Sequence, residues 1–278
     1  MDNKKVWFIT GASKGLGLTL VKQLLAAGHQ VAATSRNTAS LTEAVTIQGD
    51  AFLPLSVELG SDENVAAAIQ QAYQHFGRID VAVNNAGYGI GGSMEELTDK
   101  ETRDSFDINV FATINVIRHV LPIMRMQQAG HIINISSIAG IAPSMGWSVY
   151  GAAKHAVIGL TEVLADDVRP FGIKVTLIAP GAFRTNFNNP DSLVLSQQKI
   201  DAYAGIRSSQ ERFAATSGTQ VGDPSKAAKV MMEVTEMAEP PLSLLLGSDA
   251  YARAFGKLDL LASSYQQWET LTKSTDYT

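Results

Sequence analysis

The stretch "KVWFITGASKGLG", residues 5–17, places a short apolar run directly before a glycine-rich turn. Glycines at 11, 15 and 17 let a backbone approach a pyrophosphate closely, and a helix that follows would offer its N-terminal amides and positive dipole end. A glycine-rich turn alone is a weak signal, since many such matches are ordinary turns. Its position after the first strand of a chain that alternates strands and helices makes it a strong indication of a dinucleotide site.

Six further short apolar runs have the character of strands, and longer stretches with helical apolar spacing separate them. The strand candidates, with "KVWFIT" (5–10), are "QVAATS" (30–35), "DAFLPLSV" (50–57), "IDVAVNNA" (79–86), "HIINISS" (131–137), "IKVTLIAP" (173–180) and "LSLLLG" (242–247). Apolar strands separated by helices indicate a parallel sheet covered on both faces. We predict an α/β fold, a Rossmann-type doubly wound parallel sheet of about seven strands with helices on both faces.

The domain organisation follows from the absence of any linker, repeat or low-complexity segment, which predicts one domain over residues 1–278. Residues 186–221 form the least regular part, rich in Asn, Ser and Gln, and are predicted to be a flap that covers the substrate. Residues 248–278 are predicted to form a C-terminal helical extension with an amphipathic pattern. This extension would cover the pocket or pack on a partner subunit.

Composition excludes several classes of function. The net charge of −5 gives no reason to expect nucleic acid or an anionic membrane surface as a partner. The absence of cysteine excludes disulfides, thiol catalysis and thiolate zinc sites, and the histidines at 119, 131 and 155 form no ligand cluster, so no metal is predicted. Neither a signal-peptide core nor a run of ~20 apolar residues is present. The sequence predicts a cytoplasmic protein with a small-molecule partner.

The end of the second strand bears on the choice of dinucleotide. It reads "AATSRN", with Ser35 where an acidic residue would bind the ribose 2′-hydroxyl of NAD, and with Arg36 next. A guanidinium can bind a 2′-phosphate through paired charged hydrogen bonds, and Lys14 could reach the same phosphate from the other side. The alternative is that both cations are solvated surface charges. We predict NADP(H) as the cofactor.

A second constellation lies in "SVYGAAKHAVIGL", residues 148–160. Tyr150 and Lys154 are four positions apart, so a helix would make them neighbours. A phenol stays neutral until about pH 10, so this is no ordinary salt bridge, but an ammonium would favour its ionised form. Transfer of a hydride to a carbonyl leaves an alkoxide that needs a proton, and such a phenol could supply it. The alternative is two solvated residues on one helix face.

Together the motifs resemble those of the short-chain dehydrogenase/reductase family, NADP-preferring single-domain members in particular. The matches run from residue 6 to about 185 and comprise "TGASKGLG" (10–17), "NNAG" (84–87), Asn109 in "DINVFA", Ser137 in "NISS", Tyr150 and Lys154 in "YGAAK", and "PGAFRT" (180–185). Ser137 lies thirteen residues before Tyr150, the spacing that the family uses.

The resemblance implies a role for each catalytic candidate. Tyr150 would be the general acid/base, Lys154 would also hold the nicotinamide ribose, and Ser137 would orient the substrate and steady the developing charge. Asn109 would anchor a water molecule that relays protons to the lysine. The family pattern implies transfer of the pro-S hydride, and relatives pair through the helices corresponding to 100–128 and 148–170, so a homodimer or homotetramer is expected.

The cofactor contacts expected from the turn, the strand ends and the resemblance are Gly11, Ser13, Lys14, Gly15, Leu16, Gly17, Arg36, Ser56, Val57, Asn84, Ala86, Gly87, Tyr150, Lys154, Pro180, Gly181, Phe183 and Thr185. Relatives often carry Asp at the position of Ser56, a poorer acceptor for the adenine amino group, so that contact would rest more on the backbone at Val57. Asn84 would also brace the neighbouring strand. Substrate contacts are expected from Ser137, Met145, Trp147 and Phe187, whose apolar members suggest a substrate with hydrophobic bulk.

Three functions remain open at this point. The first is an NADPH-dependent oxidoreductase that reduces a ketone or aldehyde to an alcohol, reversibly. The second is a regulatory protein that binds NADP(H) without chemistry, although such proteins tend to lose the Tyr or the Lys, and this chain keeps both. The third is a lyase or epimerase that uses the cofactor transiently, which would need an additional acid or base that the sequence does not show.

Overall fold

The computed structural model describes residues 4–46 and 49–277. Its main sheet contains seven strands: β1 (Val6–Ile9), β2 (Gln30–Ser35), β3 (Phe52–Ser56), β4 (Val81–Asn84), β6 (Gly130–Ile135), β7 (Ile173–Pro180) and β9 (Ser243–Leu246). All neighbours are parallel, in the order β3-β2-β1-β4-β6-β7-β9. The strands β5 (Gly89–Gly91) and β8 (Leu193–Leu195) form a separate parallel pair. The predicted seven-stranded Rossmann-type fold is confirmed.

Helices cover both faces of this sheet. Their bounds are α1 (Gly15–Ala26), α2 (Thr38–Val45), α3 (Asp62–Phe76), α4 (Asp99–Phe106), α5 (Ala112–Gln127), α6 (Ile138–Ile141), α7 (Ser148–Val168), α8 (Ala204–Ala215), α9 (Pro224–Val234), α10 (Ser248–Gln267) and α11 (Glu269–Lys273). Trp7 and Ile9 of β1 pack in the core layer formed with α1 and α9, whereas Phe8 packs in the layer formed with α3 and α5. Because successive side chains of a strand point to opposite faces, a fully apolar strand supplies both layers.

The strand order creates a crevice at the carboxyl edge of the sheet. From β1 the chain runs to β2 and β3 on one side and then crosses to β4 on the other side. The connections after β1 and β4 therefore leave the sheet in opposite directions, and ligands of open α/β sheets bind at this reversal. The glycine turn after β1 and the "NNAG" stretch after β4 meet there.

The predicted helical segment from about 100 to 128 is divided by a π-helical turn, Asp107–Phe111, between α4 and α5. A turn of this kind holds one extra residue and turns the local side chains relative to a regular helix. Asn109 lies within it, 1% exposed. The irregularity therefore coincides with a predicted catalytic position.

Residues 186–221 are more regular than their composition indicates. They contain two short 3-10 turns at 186–188 and 201–203, the strand β8 and the twelve-residue helix α8. The C-terminal part forms α10 and α11, and α10 begins two residues after β9 ends. Across the described ranges, no helix combines the length and the apolar character needed to cross a bilayer.

His131 on β6 is buried, and its Nε2 lies 2.9 Å from the Thr176 hydroxyl on β7. Thr176 donates to the carbonyl of Pro241, so neutral His131 donates to Thr176. Burial lowers the pKa of His131 to about 4, and the charges of Lys174 and Lys5 act in the same direction.

We expect His131 to make the stability of the protein depend on acid pH. Between the ordinary histidine pKa near 6.5 and the folded value near 4, the unfolded chain binds the proton more tightly than the folded chain. The free energy of unfolding should therefore fall by roughly 3 kcal/mol as the pH drops through this window. Urea unfolding at a series of pH values should show this slope in the parent and lose it in His131→Gln, whereas the exposed control His75→Gln should keep it.

Candidate active site

A cavity of about 580 Å³ lies over the carboxyl ends of the central strands. Eighteen predicted site residues line it: Gly11, Ser13, Lys14, Gly15, Leu16, Arg36, Val57, Ala86, Gly87, Ser137, Trp147, Tyr150, Lys154, Pro180, Gly181, Phe183, Thr185 and Phe187. Five others are not part of its lining: Gly17, Ser56, Asn84, Asn109 and Met145. The fold thus brings residues from most of the chain to one site.

The glycine turn has the shape that a phosphate group requires. Gly11 and Gly15 have φ of 65° and 59°, a region that favours glycine, and a Cβ at Gly11 would lie 2.7 Å from the Cα of Ala86. A Cβ at Gly17 would lie 2.5 Å from Nδ2 of Asn85, so this glycine permits close packing behind the turn. The turn leads into the twelve-residue helix α1, whose free N-terminal amides suit an anion. These features fit a dinucleotide pyrophosphate.

Two cations face the end of the cavity beside β2. Arg36 and Lys14 both line it, and the Lys14 ammonium donates to the backbone oxygen of Asp191 at 3.1 Å. Burial lowers the pKa of Lys14, the charge of Asp191 opposes this effect, and Arg36 adds to it by repulsion. Ser35 uses its hydroxyl to donate to the carbonyl of Asn37. The end of β2 therefore presents a serine and an arginine rather than a carboxylate, while Glu58 and Asp191 line the same cavity.

The adenine end differs in one detail from the expected contacts. The Ser56 hydroxyl donates to the carbonyl oxygen of Arg36 at 3.3 Å and does not line the cavity, whereas Val57 does. The adenine contact at Ser56 and at the backbone of Val57 stays a prediction. The Val57 amide donates to the carbonyl of Ser35 at 3.0 Å, so this amide already has a hydrogen-bond partner within the sheet.

Tyr150 and Lys154 lie in the first two turns of α7, and both are buried. The Lys154 ammonium lies 5.8 Å from the centre of the Tyr150 ring and donates to the carbonyl oxygen of Ile135 at 3.1 Å. The backbone oxygen of Lys154 accepts from the Ser136 hydroxyl at 2.8 Å. The end of β6 thus holds both the side chain and the backbone of the lysine. Sequence reasoning named Ser137 of the Ser-Ser pair and missed this role of Ser136.

The electrostatics of the pair correct one expectation. Burial raises the pKa of Tyr150 to about 12, opposed by a hydrogen bond with Ser137, whereas we expected Lys154 to lower it. Burial also lowers the pKa of Lys154 to about 8. The aromatic surroundings of the phenol penalise its charged form more than the protein's own groups stabilise it. Tyr150 is therefore protonated at neutral pH, which is the form that donates a proton.

Asn109 lies behind the cavity wall and fixes the loop that follows β4. Its amide nitrogen donates to the carbonyl oxygens of Tyr88 and Ser105 and to the Ser105 hydroxyl, and its side-chain oxygen accepts from the Tyr88 amide. A Cβ at Gly87 would lie 2.6 Å from Oδ1 of Asn109 and 3.1 Å from the Lys154 ammonium. Gly87 therefore allows Asn109 and Lys154 to approach the same point.

Asn84 braces β4 against β6, as expected. Its amide nitrogen donates to the side-chain oxygen of Asn134 at 2.8 Å, and Asn134 donates to the Thr161 hydroxyl on α7. Thr161 in turn donates to the carbonyl of Val157. This buried series of hydrogen bonds ties the carboxyl edge of the sheet to the helix that carries Tyr150 and Lys154.

The "PGAFRT" stretch is held by the end of the sheet and by α10. The Gly181 amide donates to the carbonyl of Leu246, and the Ala182 amide donates to the Asp249 carboxylate at 2.8 Å. A Cβ at Gly181 would meet the Asp249 carboxylate, so a larger residue at this position would displace that side chain from the Ala182 amide. Asp249 was not predicted as a site residue, because nothing near it in the sequence matches a motif.

Aromatic side chains surround the Tyr150 ring. The Trp147 ring lies 6.3 Å from it and the Phe187 ring 6.0 Å, both measured between centroids. Phe213 of α8, which sequence reasoning missed, packs edge to face on Trp147 at 5.0 Å and also lines the cavity. Met145 does not contribute to this wall. It is 61% exposed, and the chain turns after it at Gly146, whose φ is 83°.

A buried carboxylate fastens the segment 186–221 to the rest of the site. Glu96 is 2% exposed, and it accepts from the amide and hydroxyl of Ser93, from the Ile200 amide and from Arg207 at 2.7 Å. The Ile200 hydrogen bond is the largest of the effects that hold the pKa of Glu96 below its usual range. Glu96 thereby holds Ile200, which precedes α8, and Arg207, which lies in the first turn of α8.

We expect Glu96→Gln to loosen this segment, because an amide cannot replace a carboxylate that accepts from several donors and an arginine. Limited proteolysis should cut within residues 196–215 faster than in the parent, and the KM for an apolar ketone should rise more than the Kd for NADPH. Glu233→Gln, which alters an exposed i,i+4 pair with Lys229, serves as the control. Equal protease resistance in Glu96→Gln and the parent would contradict the fastening role.

Histidine and carboxylate side chains form no candidate metal centre within the part of the chain that the structure describes. The Nδ1 atom of His155 lies 2.9 Å from the carbonyl oxygen of Gly140, so the side chain is directed at the helix α6.

Comparisons with known proteins agree with this geometry. Residues 5–193 match the family described as short chain dehydrogenase. Oxidoreductase BOA17 of Botryotinia fuckeliana is 36% identical over 269 residues, covering 96% of this chain and 98% of that protein. The crystal structure of a short-chain dehydrogenase from Streptomyces avermitilis has a TM-score of 0.92 and 37% identity, covering 99% of this chain and 100% of that one.

Solved structures with bound cofactor have the same fold. A short chain dehydrogenase/reductase from Burkholderia phymatum in complex with NAD has a TM-score of 0.80 at 23% identity, covering 93% of this chain and 95% of that one. Two further neighbours, each 26% identical to this chain, hold NADP or NADP+. Neighbours of this fold thus bind either dinucleotide. The family match, the full-length relative and the arrangement of the site together establish that this chain is an oxidoreductase of the short-chain dehydrogenase/reductase family.

Proposed function

We propose that the protein is an NADPH-dependent carbonyl reductase that converts a ketone or aldehyde to an alcohol, reversibly, with Tyr150 as general acid/base. One observation carries this proposal. A buried phenol, hydrogen-bonded to Ser137 and close to a buried ammonium, lies in the same cavity as a glycine turn shaped for a pyrophosphate. An acid is needed in such a site because reduction of a carbonyl creates an alkoxide.

Four residues would have distinct roles in the proposed reduction. When bound, the dihydronicotinamide of NADPH supplies the hydride. Tyr150 donates its phenolic proton to the carbonyl oxygen, and the Ser137 hydroxyl donates a hydrogen bond to the same oxygen as charge develops on it. Lys154, fixed by the Ile135 carbonyl, would hold the ribose of the nicotinamide end when the cofactor is bound. Asn109 keeps the loop after β4 in place, and a water molecule between it and the lysine would return the proton.

The proposed cofactor contacts follow the lining of the cavity. Gly11, Ser13, Gly15 and Leu16 would hold the pyrophosphate, and Arg36 and Lys14 would bind the 2′-phosphate. Ala86 and Gly87 allow close approach of the backbone, and Pro180 to Thr185 would hold the carboxamide end. The NADP-bound neighbours support this choice, although a neighbour with NAD shows that the fold alone does not decide it.

The proposed substrate is a ketone or aldehyde with an apolar body. Trp147, Phe187 and Phe213 form a wall beside Tyr150, and aromatic surfaces favour aryl or alkyl groups. Residues 186–221 act as the cover of this end, and α10 completes the wall. The exposed side chains of Phe111 and Val163, 50% and 63%, support pairing of subunits through the helices around α5 and α7. The cytoplasm stays the predicted location.

The test of this function is a screen of aryl and alkyl ketones and aldehydes, followed through the absorbance of NADPH. NADPH binding is measured separately by the change in its fluorescence. Turnover of apolar carbonyl compounds supports the proposal. Tight binding of NADPH without turnover of any carbonyl compound or alcohol in either direction would favour a regulatory protein and contradict the reductase.

A further inference from the structure

The C-terminal helix α10 contributes two charged side chains to the cavity, Asp249 and Arg253, one turn apart. Asp249 accepts from the Ala182 amide at 2.8 Å, so its carboxylate is engaged by the backbone beside Gly181. Arg253 lies further along the helix, on the side of the loop between α6 and α7. That loop joins Ser137 to Tyr150, so Arg253 faces the substrate end of the cavity rather than the glycine turn.

The Arg253 guanidinium contacts only neutral acceptors. Its Nη2 donates to the carbonyl oxygen of Ala142 at 2.5 Å and to the Ser144 hydroxyl at 3.3 Å. Within the described residues, its Nε and Nη1 make no hydrogen bond, and no carboxylate oxygen lies within 4.0 Å of it. Three of its five N–H donors therefore remain for a ligand.

The electrostatic setting of this guanidinium favours an anion. Burial lowers the pKa of Arg253, and the charge of Asp249 on the preceding turn opposes this effect without forming an ion pair. Arg253 is an exposed residue in the lining of the cavity, so its free N–H donors are accessible to a ligand. A charge-assisted hydrogen bond to an anion is stronger than one to a neutral acceptor. The forked geometry of a guanidinium suits the two oxygens of a carboxylate. Trp147, Phe187 and Phe213 line the same cavity, and their aromatic surfaces can pack against an apolar group of the substrate.

We propose that Arg253 binds an anionic group on the substrate, so that the natural substrate is an apolar ketone or alcohol carrying an oxyanion such as a carboxylate. This inference rests on the proposed reductase function and specifies its substrate class. Arg253 thus acts as a specificity-determining residue supplied by the C-terminal helix. Its bonds to Ala142 and Ser144 hold the guanidinium against the loop that carries the reaction centre.

The experiment compares benzoylpropionate, its methyl ester and the phosphonate of the same chain length as substrates of the parent, Arg253→Gln and Arg253→Lys. We expect the parent to favour the keto acid over its ester. Arg253→Gln should raise the KM for the acid by roughly 10- to 100-fold and leave the ester within threefold. Arg253→Lys should recover part of the loss. Lys257→Gln, on the next turn of α10 and outside the cavity lining, is the control of equal charge change.

Each outcome has a separate meaning. An equal loss for acid and ester in Arg253→Gln would show that Arg253 only ties α10 to the loop, and a parent that prefers the ester would overturn the anion site. Preference for the phosphonate over the carboxylate would keep the site and assign it to phosphate-like groups. Thermal shift of the NADPH complex by the keto acid gives a readout without turnover, and it should disappear in Arg253→Gln. If NADPH binds and the keto acid shifts the melting temperature but no turnover occurs, the anion site stands and only the proposed reductase function is contradicted.

Discussion

Replacing Tyr150 with Phe is expected to lower kcat for ketone reduction by roughly 10²- to 10⁴-fold, the contribution of a positioned general acid. The change removes the hydroxyl and keeps the ring that packs near Trp147 and Phe187. Burial holds the pKa of Tyr150 near 12, so the hydroxyl is protonated in the parent throughout the neutral range. The variant therefore lacks a proton donor that is protonated in the parent at every neutral pH. A change of pH within this range should not restore the lost activity.

The measurement combines steady-state kinetics with NADPH fluorescence, because NADPH should still bind. Tyr88→Phe is the matched control: Tyr88 also lines the cavity, and burial raises its pKa to about 12 as well. Its backbone, rather than its phenol, contacts Asn109. We expect a change of less than about threefold in kcat for Tyr88→Phe, as for a residue outside the acid-base step. A Tyr150→Phe variant as fast as the parent would remove the acid-base role from Tyr150.

Much of the fold follows from the sequence because each strand is an apolar run that ends at a turn signal. The bounds of β2 and β7 agree with those predicted, 30–35 and 173–180. The π-helical turn at 107–111 did not follow from the sequence. Asn109 stabilises it through hydrogen bonds to Tyr88, which is 21 positions away. Periodicity within one segment carries no information about such a partner.

The candidate site likewise has parts that the sequence predicts and parts that only the fold reveals. Motifs located the glycine turn and the Ser137, Tyr150 and Lys154 positions, since their spacing is fixed by one strand end and one helix. The direction of the Tyr150 pKa depends on its burial, and the sequence does not show that the distant Phe187 packs near the Tyr150 ring. Arg253 lies about a hundred positions after Lys154 in an amphipathic helix without a motif. Only the fold reveals that it faces the cavity.

Replacing Arg36 with Asp is expected to lower kcat/KM for NADPH by roughly 10²- to 10³-fold, since charge-assisted hydrogen bonds contribute about 1.5–3 kcal/mol each. The change also places a negative charge beside the 2′-phosphate. The same carboxylate can accept from a ribose 2′-hydroxyl, so kcat/KM for NADH should rise. The parent's affinity for NADPH should weaken with added salt more than its affinity for NADH, because only the former depends on the extra ion pair.

The control for net charge is Arg125→Asp, near the end of α5 and outside the cavity lining, which should leave the preference between the cofactors unchanged. Lys14→Gln separates the contributions of the two cations. The Lys14 ammonium is already bound to the carbonyl of Asp191, and burial lowers its pKa, so we expect it to contribute less than Arg36. If Arg36→Asp used NADPH as well as the parent while Lys14→Gln did not, the 2′-phosphate would bind beside the glycine turn instead of at the end of β2.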